Sequence, residues 1–278
     1  MALLERGSDA ISPTAHYTGE VWRRAGLSDP ALGTTQGRLL HAGLRPAMAL
    51  SAALGGDTLE AFLLARHRLL DELLEAEIES GRVDQVIELA AGMSPRGLRL
   101  SARHPELVYI EGELPAMAAR KRRSLARARL RPGPRHRVAE IDALAQDGPA
   151  SLARVGRELD HSGGLAIITE GLLNYFPREQ TDGIWRRVAT ELSHFADGVY
   201  LSDIHLETNN RAGPQRAFGA LLGAFVRGRV HFPYRDGEDA RARLRAAGFA
   251  SADLHPGSEG GSGPGVDRVH VIEARCTG

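Results

Sequence analysis

The stretch QVIELAAGMSPRGLRL (85–100), continued by SARHPELVYIEGELPAMAARK (101–121), decides the fold. An apolar run enters a turn of small residues, a short helical segment follows, and a second apolar run ends in two acids before a proline. That order is half of a nucleotide-binding α/β unit. A strand feeding a tight turn presents backbone amides to a ligand at a helix start, and carboxylates at the tip of the next strand accept hydrogen bonds from a ribose.

The same rhythm continues outward. HRVAEID (136–142), GLAIITEGLL (164–173) and GVYLSDIH (198–205) are short apolar runs bounded by Gly, Pro or Asp, as buried parallel strands are. EQTDGIWRRVATELSHF (179–195) reads as the amphipathic helix crossing between the last two. At the C-terminal end a helix, GEDARARLRAAGF (237–249), precedes strands in FASADLH and RVHVIEA, joined by the loop SEGGSGPGVD. They are expected to pair antiparallel at the sheet edge.

Upstream, residues 1–80 read as helical with breaks. DTLEAFLLARHRLLDELLEAEIESG (57–81) is the clearest helix, with an apolar stripe through Leu59, Phe62, Leu63, Leu70, Leu73, Leu74 and Ile78. Asp57 with Glu60 three positions on reads as its capping box, and Gly81 as its end. The pattern predicts an N-terminal helical cap over 1–80 and a ligand-binding α/β domain over 81–278. Within the latter, about 206–234 is longer than a crossover needs and is expected to fold over the ligand as a lid. The fold class is α/β: a Rossmann-like, mostly parallel seven-stranded sheet with an antiparallel last strand, the outline of a class I methyltransferase.

The 278 residues carry 35 basic and 35 acidic side chains, a formal net charge of zero. Nucleic-acid binders concentrate positive charge, so that partner is not expected. The basic run ARKRRSLARARLRPGPRHR (119–137), which holds the only lysine, Lys121, reads as a solvated helix face. No apolar run approaches the about 18 residues that span a bilayer, so no membrane partner is expected. The single cysteine, Cys276, excludes an internal disulfide, and a cytoplasmic enzyme is the expectation. No pair among His16, His67, His161, His205 and His231 has metal-ligand spacing, so no metal is expected.

The first turn differs from a dinucleotide fingerprint. Two of its three glycine places hold other residues, and only Gly92 remains. Glu88 adds a carboxylate that a pyrophosphate would resist and that an ammonium group or ribose hydroxyl would accept. Glu111 and Glu113 share one side of the second strand, and either suits a ribose. Asp142 at the third strand tip, with the Ala143 amide, suits an adenine, although Asp142 also suits a cap. Glu170 ends a central strand, where an unpaired acid is costly, and is expected to face the ligand.

Taken together, VIELAAGMSPRG, YIEGELP with the downstream Lys121, EIDAL and ITEGLLNYF resemble the leucine carboxyl methyltransferase family. The likeness is strongest to its bacterial polyketide and small-molecule O-methyltransferase branch. ISPTAHYTGEVW and LLARHRLLD resemble that branch's N-terminal helices, so the likeness runs nearly the full length. It implies S-adenosyl-L-methionine as cofactor. Gly92 and its neighbours, Ala90 included, would cradle the methionine part, and Arg66 would grip its carboxylate. Glu113 would hold the ribose, Asp142 and Ala143 the adenine, and Glu170 would lie beneath the amino group. Tyr175 would stand near the methyl group or the acceptor. The chain departs from the family in Ser94-Pro95-Arg96, where aspartate with threonine or serine is usual, and in Glu113, where aspartate is common.

The expected activity is O-methylation of a carboxylate or hydroxyl on a small-molecule, natural-product acceptor. His205 is the candidate base if the acceptor is a hydroxyl, and Tyr17, Arg23 and Arg227 are candidate acceptor contacts. Two other classes stay open: a nicotinamide-dependent oxidoreductase, and a protein that binds the cofactor without methylating. A homodimer also stays open.

Overall fold

Residues 13–53, 58–210 and 231–276 are described in a computed structural model. Three helices lead the chain: α1 (Pro13–Arg24), α2 (Thr35–Ala53) and α3 (Leu59–Glu79). Strands and helices then alternate as β1 (Gln85–Leu89), α4 (Arg96–Arg103), β2 (Val108–Glu113), α5 (Pro115–Arg127), β3 (His136–Glu140), α6 (Leu152–Gly156), β4 (Gly164–Thr169), α7 (Arg178–Leu192) and β5 (Asp197–Ile204). The described chain closes with α8 (Gly237–Ala247), β6 (Ser251–Pro256) and β7 (His270–Cys276).

The strands form one sheet in the order β3-β2-β1-β4-β5-β7-β6. Neighbours from β3 through β5 run parallel, and β7 pairs antiparallel with both β5 and β6. This is the expected seven-stranded class I methyltransferase sheet. Its order reverses between β1 and β4, and ligands of open α/β sheets bind at the carboxyl ends of strands beside such a reversal.

Strand alternation sorts two apolar layers. Ile87, Ile110, Leu165, Ile167, Tyr200 and Ile272 meet Trp185, Val188 and Leu192 of α7 and Leu244 of α8 on one face. Val86, Tyr109, Ala166, Ile168, Val199 and Val271 meet Leu69, Leu70 and Leu74 of α3 on the other. The stripe read from the sequence is therefore the face that α3 lays on the sheet. Its cap differs by one residue from expectation: the Thr58 hydroxyl accepts from the Ala61 amide at 3.4 Å, while Asp57 lies outside the described residues. No described helix is long and apolar enough to cross a membrane. The lid assigned to 206–234 falls largely outside the described residues.

Candidate cofactor site

The first turn follows β1 directly. Ala90 has φ +53° and Gly92 φ +55°. A non-glycine residue held in the left-handed region costs on the order of 1 kcal/mol, and such strain gathers at ligand sites. A Cβ placed on Gly92 would meet nothing nearer than the Ala90 carbonyl oxygen at 4.0 Å, so open space faces this backbone. The Gly92 amide donates to Glu113 Oε1, which brings the tip of β2 onto the turn. Burial raises the Glu113 carboxyl above its ordinary range, against the opposing pull of the Gly92 amide.

Glu88, Glu111 and Glu113 do not play equal parts. Glu88 and Glu111 occupy paired register positions on β1 and β2, on the sheet face that also carries Tyr109. Both are sealed. Glu88 Oε1 accepts from Arg96 Nη1 at 2.5 Å and Oε2 from the Tyr109 hydroxyl at 2.7 Å. Glu111, 0% exposed, has Lys121 Nζ 2.7 Å from Oε2 and His136 Nε2 3.3 Å from Oε1. Burial alone would raise its carboxyl, yet Lys121 and His136 hold it below the ordinary range. The expectation that Glu88 faces the ligand is corrected, because Arg96 closes over it. Of the two acids offered for a ribose, only Glu113 reaches the turn. Lys121, 1% exposed, is also no part of a solvated face.

A buried charge network lies beneath the tips of β4 and β5. Arg66 Nε donates to Glu170 Oε1 at 3.0 Å and Nη1 to Asp203 Oδ2 at 3.1 Å. Arg96 Nη2 donates to Glu170 Oε2 at 2.7 Å, and His67 Nδ1 lies 2.8 Å from the same oxygen. Arg96 Nε donates to Asp71 Oδ1 at 2.6 Å, and Arg99 completes the Asp71 contacts. Burial works against the charge on Glu170, but His67, Arg66 and Arg96 hold its carboxyl well below the ordinary range. Asp203 Oδ1 accepts from the Gly171 amide at 2.6 Å. His67, Asp203 and Arg96 had no assigned role in the sequence reading. Asp203 was reachable by the rule that singled out Glu170, an acid closing an apolar strand.

The remaining candidates divide. Asp142 Oδ1 accepts from the Leu144 amide at 2.8 Å, closing its own turn just past β3, and Arg187 holds the Ala143 carbonyl. Tyr175, 40% exposed, stands near enough to Arg66 to act on its charge. His205 stacks on Phe62 at 5.1 Å, with Nε2 3.8 Å from Asp203 Oδ2 and Nδ1 3.3 Å from the Arg268 carbonyl. Burial, only partly offset by Asp203, lowers its pKa, which keeps the imidazole neutral near pH 7. Tyr17 is corrected from acceptor contact to core residue, packed with Val21, Leu59 and Phe62. Arg23 forms a two-point pair with Glu20 at 2.8 and 2.6 Å rather than facing an acceptor. Arg227 lies outside the described residues.

The leucine carboxyl methyltransferase family profile matches residues 37–189. The chain belongs to the leucine carboxyl methyltransferase family. Members of this family use S-adenosylmethionine. Solved structures add the fold. A putative methyltransferase from Thermobifida fusca is 14% identical with a TM-score of 0.62, over 89% of this chain and 92% of that one. The S-adenosylmethionine-dependent methyltransferase SibL is 19% identical with a TM-score of 0.52, over 96% and 70%. Magnesium protoporphyrin IX methyltransferase from Synechocystis, with bound SAH, is 12% identical with a TM-score of 0.51, over 84% and 99%. A search of curated proteins by sequence found no match.

The residues present fit that cofactor. Open space faces Gly92, the nearly buried Glu113 suits a pair of ribose hydroxyls, and the Arg66–Glu170 pair has the two charges that complement an amino-acid zwitterion.

Proposed function

We propose that this chain transfers a methyl group from S-adenosylmethionine to an oxygen of a small-molecule acceptor, a carboxylate in the first instance. What supports the reading is the convergence of Gly92, Glu113, Arg66 and Glu170 on the carboxyl ends of β1, β2 and β4, where the sheet order reverses. Bound adenosylmethionine supplies an electrophilic methyl carbon. Glu113 would hold the ribose hydroxyls, Arg66 the carboxylate and Glu170 the ammonium group. A carboxylate acceptor is already anionic at neutral pH, so the protein's work is to orient it and exclude water. For a hydroxyl acceptor, His205 would take the proton, and its lowered pKa leaves it free to do so at pH 7. Tyr175 would border the acceptor.

Arg96 neutralises Glu88, so repulsion of a pyrophosphate no longer counts, although the depleted glycine pattern still does. Titration calorimetry on the full chain separates the readings. Adenosylhomocysteine is expected to bind, with at least a tenfold loss on Glu113→Ala. Heat with NADH and none with adenosylhomocysteine would overturn the proposal.

A further inference from the structure

Helix α5 distributes its cations unevenly. Lys121 turns inward to Glu111, and Arg122 turns to the β3 edge, donating to the Val138 carbonyl at 3.0 Å beside Glu140. Arg120, Arg123 and Arg127 recur at intervals of three and four, which puts them on one helix face. Among the described residues, no carboxylate lies within ion-pair distance of any of the three. Like charges so spaced destabilise a helix by about 0.2–0.5 kcal/mol per pair, and only Arg127 is near the C-terminal end that welcomes a cation.

These arginines do not simply face solvent. They line a cavity of about 380 Å³ whose other walls include Gly33 and Thr34, from the loop between α1 and α2, and Met93 of the first turn. Thr34 is fixed there by His16, whose Nδ1 lies 3.0 Å from the threonine hydroxyl. An imidazole is neutral or cationic and never anionic, so His16 gives these arginines no neutralising partner. At 1.5 Å rise per residue, the seven steps from Arg120 to Arg127 cover about 10 Å along the helix. That span suits a group with charge spread over several oxygens.

We infer that this cavity is an anion site, separate from the cofactor crevice but adjoining it through Met93, that takes a multiply charged phosphate-type oxyanion. Arginine matches such oxygens two at a time, and three guanidiniums on one wall favour dianions over monoanions. The oxyanion has two sources, a free ion or the charged end of a larger molecule.

The test uses the full chain at low ionic strength with pyrophosphate and hexyl phosphate as probes, and adenosylhomocysteine as an independent readout of the cofactor site. At least one probe is expected to bind, more weakly as salt rises. Arg123→Ala/Arg127→Ala should lower that affinity at least tenfold and leave adenosylhomocysteine binding within twofold. Arg122→Ala, on the other face, should change neither. Tighter pyrophosphate binding assigns the site to a free ion, and tighter hexyl phosphate binding to the end of a larger molecule; both support the site. No binding of either probe, equal binding by the double variant, or an equal loss in Arg122→Ala would overturn it. Loss of adenosylhomocysteine binding in the unmodified chain would instead count against the methyltransferase reading alone.

Discussion

Lys121→Met should destabilise this protein by about 3–4 kcal/mol, and the structure shows where the loss arises. Lys121 is 1% exposed, and its ammonium lies 2.7 Å from Glu111 Oε2 and donates to the Ser94 carbonyl at 3.1 Å. Methionine nearly conserves the volume, so the packing term stays below about 1.5 kcal/mol. The electrostatic term dominates, because breaking a buried pair by removing one partner costs about 3–5 kcal/mol. Glu111 would keep only His136, at 3.3 Å, and neither ion-pair contact of Glu111 has hydrogen-bond alignment. The stranded carboxylate can escape by binding a proton. In the variant its folded pKa therefore rises above the unfolded value, so the folded state binds the extra proton. Stability should then fall as pH rises from about 5 to 8. In the parent protein the Glu111 carboxyl sits below its ordinary range, so its contribution stays constant over that interval.

Urea denaturation followed by the fluorescence of buried Trp22 and Trp185 measures both effects. Adding Glu111→Gln to Lys121→Met removes the stranded charge and should recover at least half of the loss. A single variant within 1 kcal/mol of the parent at pH 8 would refute the reasoning. So would a double variant no more stable than the single one.

Two further outcomes follow from local geometry. Gly92→Ala should cost only about 1 kcal/mol of stability, from the left-handed φ of +55°, because no atom lies nearer than 4.0 Å to the added methyl. Its main effect should be a more than tenfold loss of adenosylhomocysteine affinity by calorimetry, and a loss confined to stability would count against the cradle. At the end of α3, burial would raise the Glu77 carboxyl, but bonds from Arg82 and Arg275 bring it down from 4.5 to about 2. A depressed acid stabilises the fold above its unfolded pKa and loses that contribution as pH falls towards the folded one. Between about pH 5 and 2 the parent should therefore lose on the order of 1–2 kcal/mol more than Glu77→Gln, once screening at the partly exposed arginines is allowed for. Parallel acid titration curves would exclude this.

The sheet was legible because buried parallel strands leave a plain signature. Runs such as GLAII (164–168) carry no polar side chain on either face, and the antiparallel edge followed from a strand–loop–strand ending. Helix α3 was legible from its stripe, its cap only to within a residue. At the site, period-two alternation correctly put Glu111 and Glu113 on one side, but alternation cannot tell depth. A step of two positions along β2, across Gly112, carries one to the crevice and leaves the other under α4 and α5. Nor did the sequence show which cation answers which acid. Arg96 and Lys121 come from different helices, 8 and 10 positions beyond Glu88 and Glu111, and only the packing of those helices on the sheet pairs them. Tyr17 and Arg23 failed as acceptor contacts for a related reason: an aromatic and a cation on an amphipathic helix can serve the core and a neighbouring acid equally well.

Burying Arg66, Arg96, Glu88, Glu170 and Asp203 together runs against the economy of a folded core, since well-packed apolar residues would stabilise it at least as well. Under the proposed function, the network answers to what the cofactor's amino-acid end would require. A zwitterion leaving water needs a cation and an anion already fixed at the right separation, and each must be satisfied before the ligand arrives. In the proposed reading the Arg66–Glu170 contact at 3.0 Å would meet both conditions: each group would answer the other until the carboxylate and ammonium of a ligand took their places. Behind them, Asp203 keeps hold of Arg66, while His67 and Arg96 keep hold of Glu170. Neither charge would therefore be stranded or free to swing when their mutual contact is divided. Arg96 extends this support to Glu88 and Asp71, so the first turn, α3 and the tip of β4 share one set of charges. Four carboxylates, Asp71, Glu88, Glu170 and Asp203, face the guanidiniums of Arg66, Arg96 and Arg99 and the imidazole of His67, which lies 2.8 Å from Glu170 Oε2.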